Sequence, residues 1–166
     1  MRELCGASLS LQDRFQDEIL MMPRFSSEIE GALRAAGWFP GRQVDISAWR
    51  NSMQGFPMHV AAEEILREFG GIHVQVSGPG VTCMRTPFEF DPELAVGEED
   101  RFLELSRRFD CSLFPVGMKD SGDFFLAIDE DGTVYALMNW LFSLGHGDDA
   151  LERLVTGVAG ERVRTP

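Results

Sequence analysis

Two apolar runs, Phe124–Ile128 and Thr133–Leu137, flank the polar turn former Asp129-Glu130-Asp131-Gly132. Runs of that length around such a tetrapeptide predict a β-hairpin, because the turn residues adopt the tight backbone that apolar strands cannot. Leu113–Val116 precedes it as a further strand. Upstream, Ile72, Val74 and Val76 alternate with His73, Gln75 and Ser77, the period of a half-buried strand. Ser77-Gly78-Pro79-Gly80 reads as a turn that returns Val81–Thr86 as its partner strand. Phe88-Glu89-Phe90 is a short alternating piece stopped by Asp91-Pro92.

Helical periods lie on either side of these strands. Ser27 and Glu30 form a capping-box pair, Ile29, Ala32, Leu33 and Ala36 mark one face, and Gly37 ends the helix. Trp38-Phe39-Pro40-Gly41-Arg42 is a turn, and a short helix follows over Ser47–Met53 with Trp49 and Met53 on one face. From His59 to Phe69 the residues Ala61, Ala62, Ile65, Leu66 and Phe69 line one side, and Gly70-Gly71 stop the helix. Glu98-Glu99-Asp100 and Arg107-Arg108 bracket Phe102, Leu105 and Phe109, acid first and base last as the helix dipole favours. Asp148 or Asp149 caps a closing helix through Leu151, Leu154 and Val155, ended by Gly157. Arg162 and Arg164 sit in a tail with no periodic signal.

This order predicts an α+β fold with a mainly antiparallel sheet packed against N-terminal helices and a closing C-terminal helix. At 166 residues the chain is one domain large enough to bury a core without a metal or disulfide scaffold. With 13 Phe against 3 Trp and 1 Tyr, that core is expected to be Phe-rich. Leu9, Leu11, Phe15, Ile19 and Leu20 have rough helical spacing before Pro23. The expected division is therefore an extension or docking helix over 1–24, a domain over 25–158 and a tail over 159–166.

Charge narrows the function. The 15 Lys and Arg against 27 Asp and Glu leave −12 at neutral pH, which repels phosphate and attracts basic partners. Direct nucleic-acid binding is disfavoured. The acids fall in two windows, one over Glu89, Asp91, Glu93, Glu98, Glu99 and Asp100, the other over Asp120, Asp123, Asp129, Glu130 and Asp131. Either they form a solvated surface or they dock a basic protein. On the second reading Glu89, Asp91, Glu98, Glu99, Asp100, Asp120 and Asp123 are the candidate contacts. Neither a signal-peptide core nor a membrane span is legible, and Cys5, Cys83 and Cys111 lack C-x-x-C spacing. The expectation is a cytoplasmic protein with three free thiols, two of them buried.

Converging chemistry is not legible in the sequence. His59, His73 and His146 are scattered; His59 and Glu63 stand one helical turn apart, which suits a shared ligand less well than a capping or surface histidine. Asp129-Glu130-Asp131-Gly132 lacks the later ligands of a calcium loop. Gly70-Gly71 and Gly78-Pro79-Gly80 lack phosphate-loop spacing. No catalytic residue, cofactor or metal is expected, and the enzyme reading rests only on unplaced His and Cys residues.

The ordered landmarks resemble a known family. Phe25-Ser26, Leu33, Ala36-Gly37-Trp38 and Pro40-Gly41-Arg42 come first, then His59-x-Ala61-Ala62-x-x-Ile65-Leu66-x-x-Phe69-Gly70-Gly71-Ile72. Phe90-Asp91-Pro92, Pro115-Val116-Gly117, Asp129-x-Asp131-Gly132-x-Val134-Tyr135, Leu144-Gly145 and Ala150-Leu151-x-x-Leu154-x-x-Gly157 follow. The series resembles the third family of the SUKH superfamily, bacterial immunity proteins, from Phe25 to Gly157. The resemblance implies an α+β fold and a non-catalytic role. Such proteins are generally encoded beside polymorphic toxins, frequently nucleases or nucleic-acid deaminases, and protect the producing cell by binding the toxin domain. The implied partner is a cognate toxin protein, basic where it holds nucleic acid; no nucleic acid or membrane is bound directly, and the protein is expected to be a monomer. Trp38, Arg42, Gly70, Gly71 and Gly132 carry over as scaffold. A housekeeping interaction module on the same fold is the alternative.

Overall fold

The structure is a computed structural model that describes residues 23–166, so the helical spacing from Leu9 to Leu20 and Cys5 lie outside the described residues. Three helices come first: α1 (Ser27–Ala35), α2 (Ser47–Ser52) and α3 (Val60–Phe69). Four two-residue strands follow, β1 (His73–Val74), β2 (Gly78–Pro79), β3 (Met84–Arg85) and β4 (Phe88–Glu89). After a 3₁₀ turn (Pro92–Ala95) come α4 (Glu99–Phe109), β5 (Phe114–Lys119), β6 (Phe124–Ile128), β7 (Thr133–Leu137), β8 (Leu141–His146), α5 (Asp148–Thr156) and β9 (Glu161–Arg162). The main sheet has seven strands in the order β1-β4-β5-β6-β7-β8-β9, each neighbouring pair antiparallel. The fold is α+β, with helices at the start and one near the end, as the order of periods predicts.

Both faces of the central strands are covered. Phe125 meets Phe102 of α4 at 5.8 Å between ring centroids, whereas Ile128, of opposite parity, faces a cleft lined by Ile65 of α3 and Leu151 of α5. A strand buried on both sides reads as a continuous apolar run, hence Phe-Phe-Leu-Ala-Ile. Among the described residues nine phenylalanines are buried, so the core is Phe-rich as expected. Trp38 anchors the helical layer: its ring stacks on Phe69 at 6.2 Å, and its indole N–H donates to Glu68 Oε1 at 3.0 Å.

Local caps explain where helices begin and end, with two corrections. Ser26, not Ser27, caps α1; its extended backbone lets Oγ accept from Ile29 N at 3.5 Å, while Glu30 pairs forward with Arg34. Gly147 occupies the α5 cap position, not Asp148 or Asp149, and Asp148 instead binds Arg24 at 2.6 Å. His59 caps α3 as expected, Nδ1 accepting from Ala62 N at 3.2 Å. At the other end of α3, Arg42 donates to the carbonyls of Glu68 (2.6 Å) and Gly70 (2.8 Å), closing groups that a helix C-terminus leaves open. Arg42→Ala is expected to lower unfolding stability by about 2 kcal/mol in urea titration, with Arg42→Lys recovering only part of it, because two charge-assisted bonds need the forked guanidinium.

Strand pairing departs from the expected order. Gly78-Pro79 is not a turn joining two strands of the main sheet; it pairs with Met84-Arg85 in a separate ribbon, and β1 pairs with β4. Pairing Val74 with Phe88 buries both, and the ribbon is used elsewhere. The backbone N–H of Val81 donates to Thr156 O, and those of Thr82 and Cys83 to Gly157 O, each at 3.0 Å, so the ribbon satisfies the C-terminal carbonyls of α5. Gly80 and Gly157 allow this approach: a Cβ built on Gly80 stands 2.6 Å from Gly157 Cα.

The segment from Trp140 to Gly145 carries strand β8, and the segment around Arg162 carries β9; neither has a clean alternation. A register shift between Val134 and Tyr135 places an extra residue in β8, so Leu144 is buried out of step. Both residues of β9 are exposed, which leaves no apolar trace of an edge strand.

Candidate functional site

A cleft of about 450 Å³ lies between the loop after α2, the outer side of α4 and the β6–β7 turn. Phe56, Phe102 and Leu113 form its apolar floor, and Leu103 stands exposed beside it. Four carboxylates surround that floor: Glu99 and Asp100 from the first turn of α4, Asp110 after its last turn, and Glu130 from the hairpin. Arg107 is the one cation among the lining residues.

The helix dipole explains part of this placement, since acids favour the first turn of α4. Glu99 accepts from Gly97 N at 3.2 Å and Glu130 from Ser112 N at 2.6 Å, which holds both in place. The bond from its own backbone N–H, and then that from Ser112, keep the Glu130 carboxyl below its ordinary value. Asp110 caps α4 in the left-handed conformation (φ 52°). Neither Asp100 nor Asp110 has a side-chain hydrogen bond or ion pair among the described residues, so both remain available to an incoming cation. Cys111 registers the local field: burial, then the charges of Asp129, Glu130 and Asp110, push its thiol up to about 11. It is protonated at neutral pH and a poor nucleophile. Cys83 and Cys111 are free as expected, but half-buried rather than buried, because both lie at element ends.

The remaining sequence candidates are dispersed. Glu89 lies across from His73 and Met118 in a different cleft of about 290 Å³, together with Lys119. Asp91 caps the 3₁₀ turn, accepting from Glu93 N at 3.0 Å, and Glu98 pairs with Arg101 at 3.0 Å. Asp120 and Asp123 sit at the β5–β6 turn. The second acidic window therefore does not form one patch: Asp120 and Asp123 precede β6 and Glu130 follows it, about 16 Å apart along an extended strand. Asp129 is not a surface acid at all. It is buried and accepts from Asp131 N (3.1 Å), Thr133 N (2.8 Å) and Tyr135 Oη (2.6 Å), which makes it the brace of the hairpin turn. Burial and Asp129 together raise the Tyr135 phenol well above its ordinary value. Asp129→Ala is expected to lower the urea-unfolding free energy by about 2–3 kcal/mol, since it strands three donors.

The histidines do not converge. His59 Nε2 lies 3.0 Å from Ser112 O and its Nδ1 is taken by the capping bond, so both ring nitrogens are engaged locally. Glu63, its neighbour one turn on, is held by Arg50 and Arg67. His73 bonds Gln75, and His146 lies 2.5 Å from Asp131 O. Among the described residues no group of three or more His, Cys, Asp or Glu is placed to hold a metal ion, and no helix is long and apolar enough to cross a membrane.

Asp110 and Glu130 are the groove acids absent from the candidate contacts: Asp110, following Arg107-Arg108, reads only as a helix end, and Glu130, though within the second acidic window, reads as part of a hairpin turn. No curated protein and no solved structure matches the chain. The model of the SUKH-3 immunity protein family matches residues 25–157, from the buried Phe25 to the left-handed Gly157 that ends α5. With most of its length matched in this way, the chain belongs to the SUKH-3 immunity protein family.

Proposed function

We propose that the chain is a non-catalytic immunity protein that binds a cognate toxin domain and neutralises it by occupying a basic surface. Family membership supports the toxin-immunity role. The observation that carries the contact assignment is the α4 groove, where Glu99, Asp100, Asp110 and Glu130 ring an apolar floor. A toxin that cleaves or deaminates nucleic acid needs a cationic cleft, and a groove of the opposite sign competes for it. Apolar contact at Leu103 and Phe56 supplies affinity, while the acids steer encounter, toward roughly 10⁸ M⁻¹s⁻¹ or more at low salt.

Co-expression tests the reading. The toxin domain encoded beside this chain is expected to arrest growth alone and to permit growth when this protein is present. Failure to rescue from any neighbouring toxin would overturn it.

A further inference from the structure

A second surface has the opposite charge. The guanidinium carbons of Arg108 and Arg162 lie 4.2 Å and 4.3 Å from the centroid of the Trp140 ring. Trp140 is itself fixed, its indole N–H donating to Val163 O at 2.7 Å and its ring edge against Phe109 at 5.3 Å. Arg164 joins Trp140, Arg162, Val163 and Thr165 around a hollow of about 460 Å³ that no carboxylate lines. Of the other described arginines, seven each hold a carboxylate within 3.3 Å, Arg42 holds two carbonyls, and Arg107 stands among the carboxylates of the α4 groove. Arg108, Arg162 and Arg164 hold none among the described residues, in a chain with twelve surplus negative charges. Two of these cations lie over one indole, where the ring quadrupole stabilises them, and the third lines the hollow beside it; with no carboxylate partner, their outward N–H donors are left for a ligand.

The backbone beside them is open too. β9 ends the strand order of the main sheet, so its outer edge has no neighbouring strand among the described residues. An unpaired edge is a template for an added strand, with specificity supplied by side-chain sites alongside.

We propose that the β9 edge, with Trp140, Arg108, Arg162 and Arg164, is a second docking site that takes an extended, carboxylate-bearing segment of a partner protein as an added strand. A polypeptide fits better than a nucleic acid. Nucleic acid brings a continuous run of phosphates into the field of Glu98, Asp100 and Glu104, which line the cleft on the other side of Arg108. A short peptide brings only the few charges that three guanidiniums neutralise, and it alone pairs with a strand edge. This site is independent of the acidic groove and of the identity of the toxin.

The experiment is a titration of the isotope-labelled protein with a short synthetic peptide alternating valine and glutamate, at low salt, followed by amide and indole N–H shifts. Saturable shifts are expected at Trp140 and residues 161–165, with little change at the α4 groove. The double variant Arg108→Gln, Arg162→Gln, made at two exposed positions, is expected to weaken binding about tenfold or more while leaving the rest of the spectrum in place. Raising the salt is expected to release the peptide from the unaltered protein, so the result does not depend on the variant alone. Absence of saturable shifts, equal binding of the same peptide with lysine for glutamate, or tighter binding of a single-stranded oligonucleotide would each overturn the proposal.

Discussion

Gly117→Ala is expected to destabilise the protein by about 3 kcal/mol or more, a large part of the 5–15 kcal/mol that holds an ordinary domain together. Gly117 lies in β5 just past a register irregularity with β6. A Cβ built there falls 1.8 Å from Glu89 O and 3.0 Å from Phe90 Cα, both main-chain atoms of the β4 segment. Main chain cannot rotate away as a side-chain tip can, so the β4–β5 pairing must separate. Phe88 and Phe90, both buried, would move with it. Gly31, on the exposed side of α1 with nothing within 4 Å of its built Cβ, supplies the contrast. Gly31→Ala is expected to stabilise by about 0.5–1 kcal/mol, because alanine has less backbone freedom to lose. Urea unfolding of both variants checks the pair, and a loss below about 1 kcal/mol for Gly117→Ala would show that β4 yields.

Asp100→Lys combined with Asp110→Asn is expected to slow capture of the cognate toxin about tenfold or more at low salt and to flatten its salt dependence. The two substitutions change three units of charge on one groove wall, where complementary charge sets the encounter rate. Asp110 goes to asparagine because that residue tolerates the left-handed backbone at the end of α4. Neither acid carries a side-chain hydrogen bond among the described residues, so the fold is expected to survive; Glu99 and Glu130, which hold backbone N–H groups, are left alone. A surface control, Asp149→Lys with Glu152→Lys on α5, is expected to change the rate much less. Stopped-flow association at two salt concentrations, with growth rescue alongside, reads the outcome. An unchanged on-rate in the groove variant would place the contact face elsewhere while leaving the immunity role standing.

The groove was only half legible beforehand. Glu99 and Asp100 stand out because acids in a first helical turn have a local electrostatic reason to be there. Asp110 and Glu130 do not, since each is explained locally as a helix end or a hairpin turn, and their convergence depends on how α4 lies against β6. The same limit applies to Asp129, indistinguishable in sequence from its exposed neighbours until burial and the Tyr135 hydroxyl single it out. Arg108 and Arg162, 54 positions apart, meet only through Trp140.

What the sequence alone determined was everything with a short period or a local hydrogen bond. The apolar faces of α1, α3, α4 and α5, the β6–β7 hairpin and the glycine stops at Gly37 and Gly157 all follow from residues within a turn or two of one another. Tertiary structure decided the rest. It paired β1 with β4 across fourteen residues and laid the Gly78–Arg85 ribbon on the end of α5. It recruited the exposed Glu161-Arg162 as an edge strand and set carboxylates from two elements around one groove. Those choices turn on which distant surfaces bury each other best, and a local pattern carries no record of a distant partner.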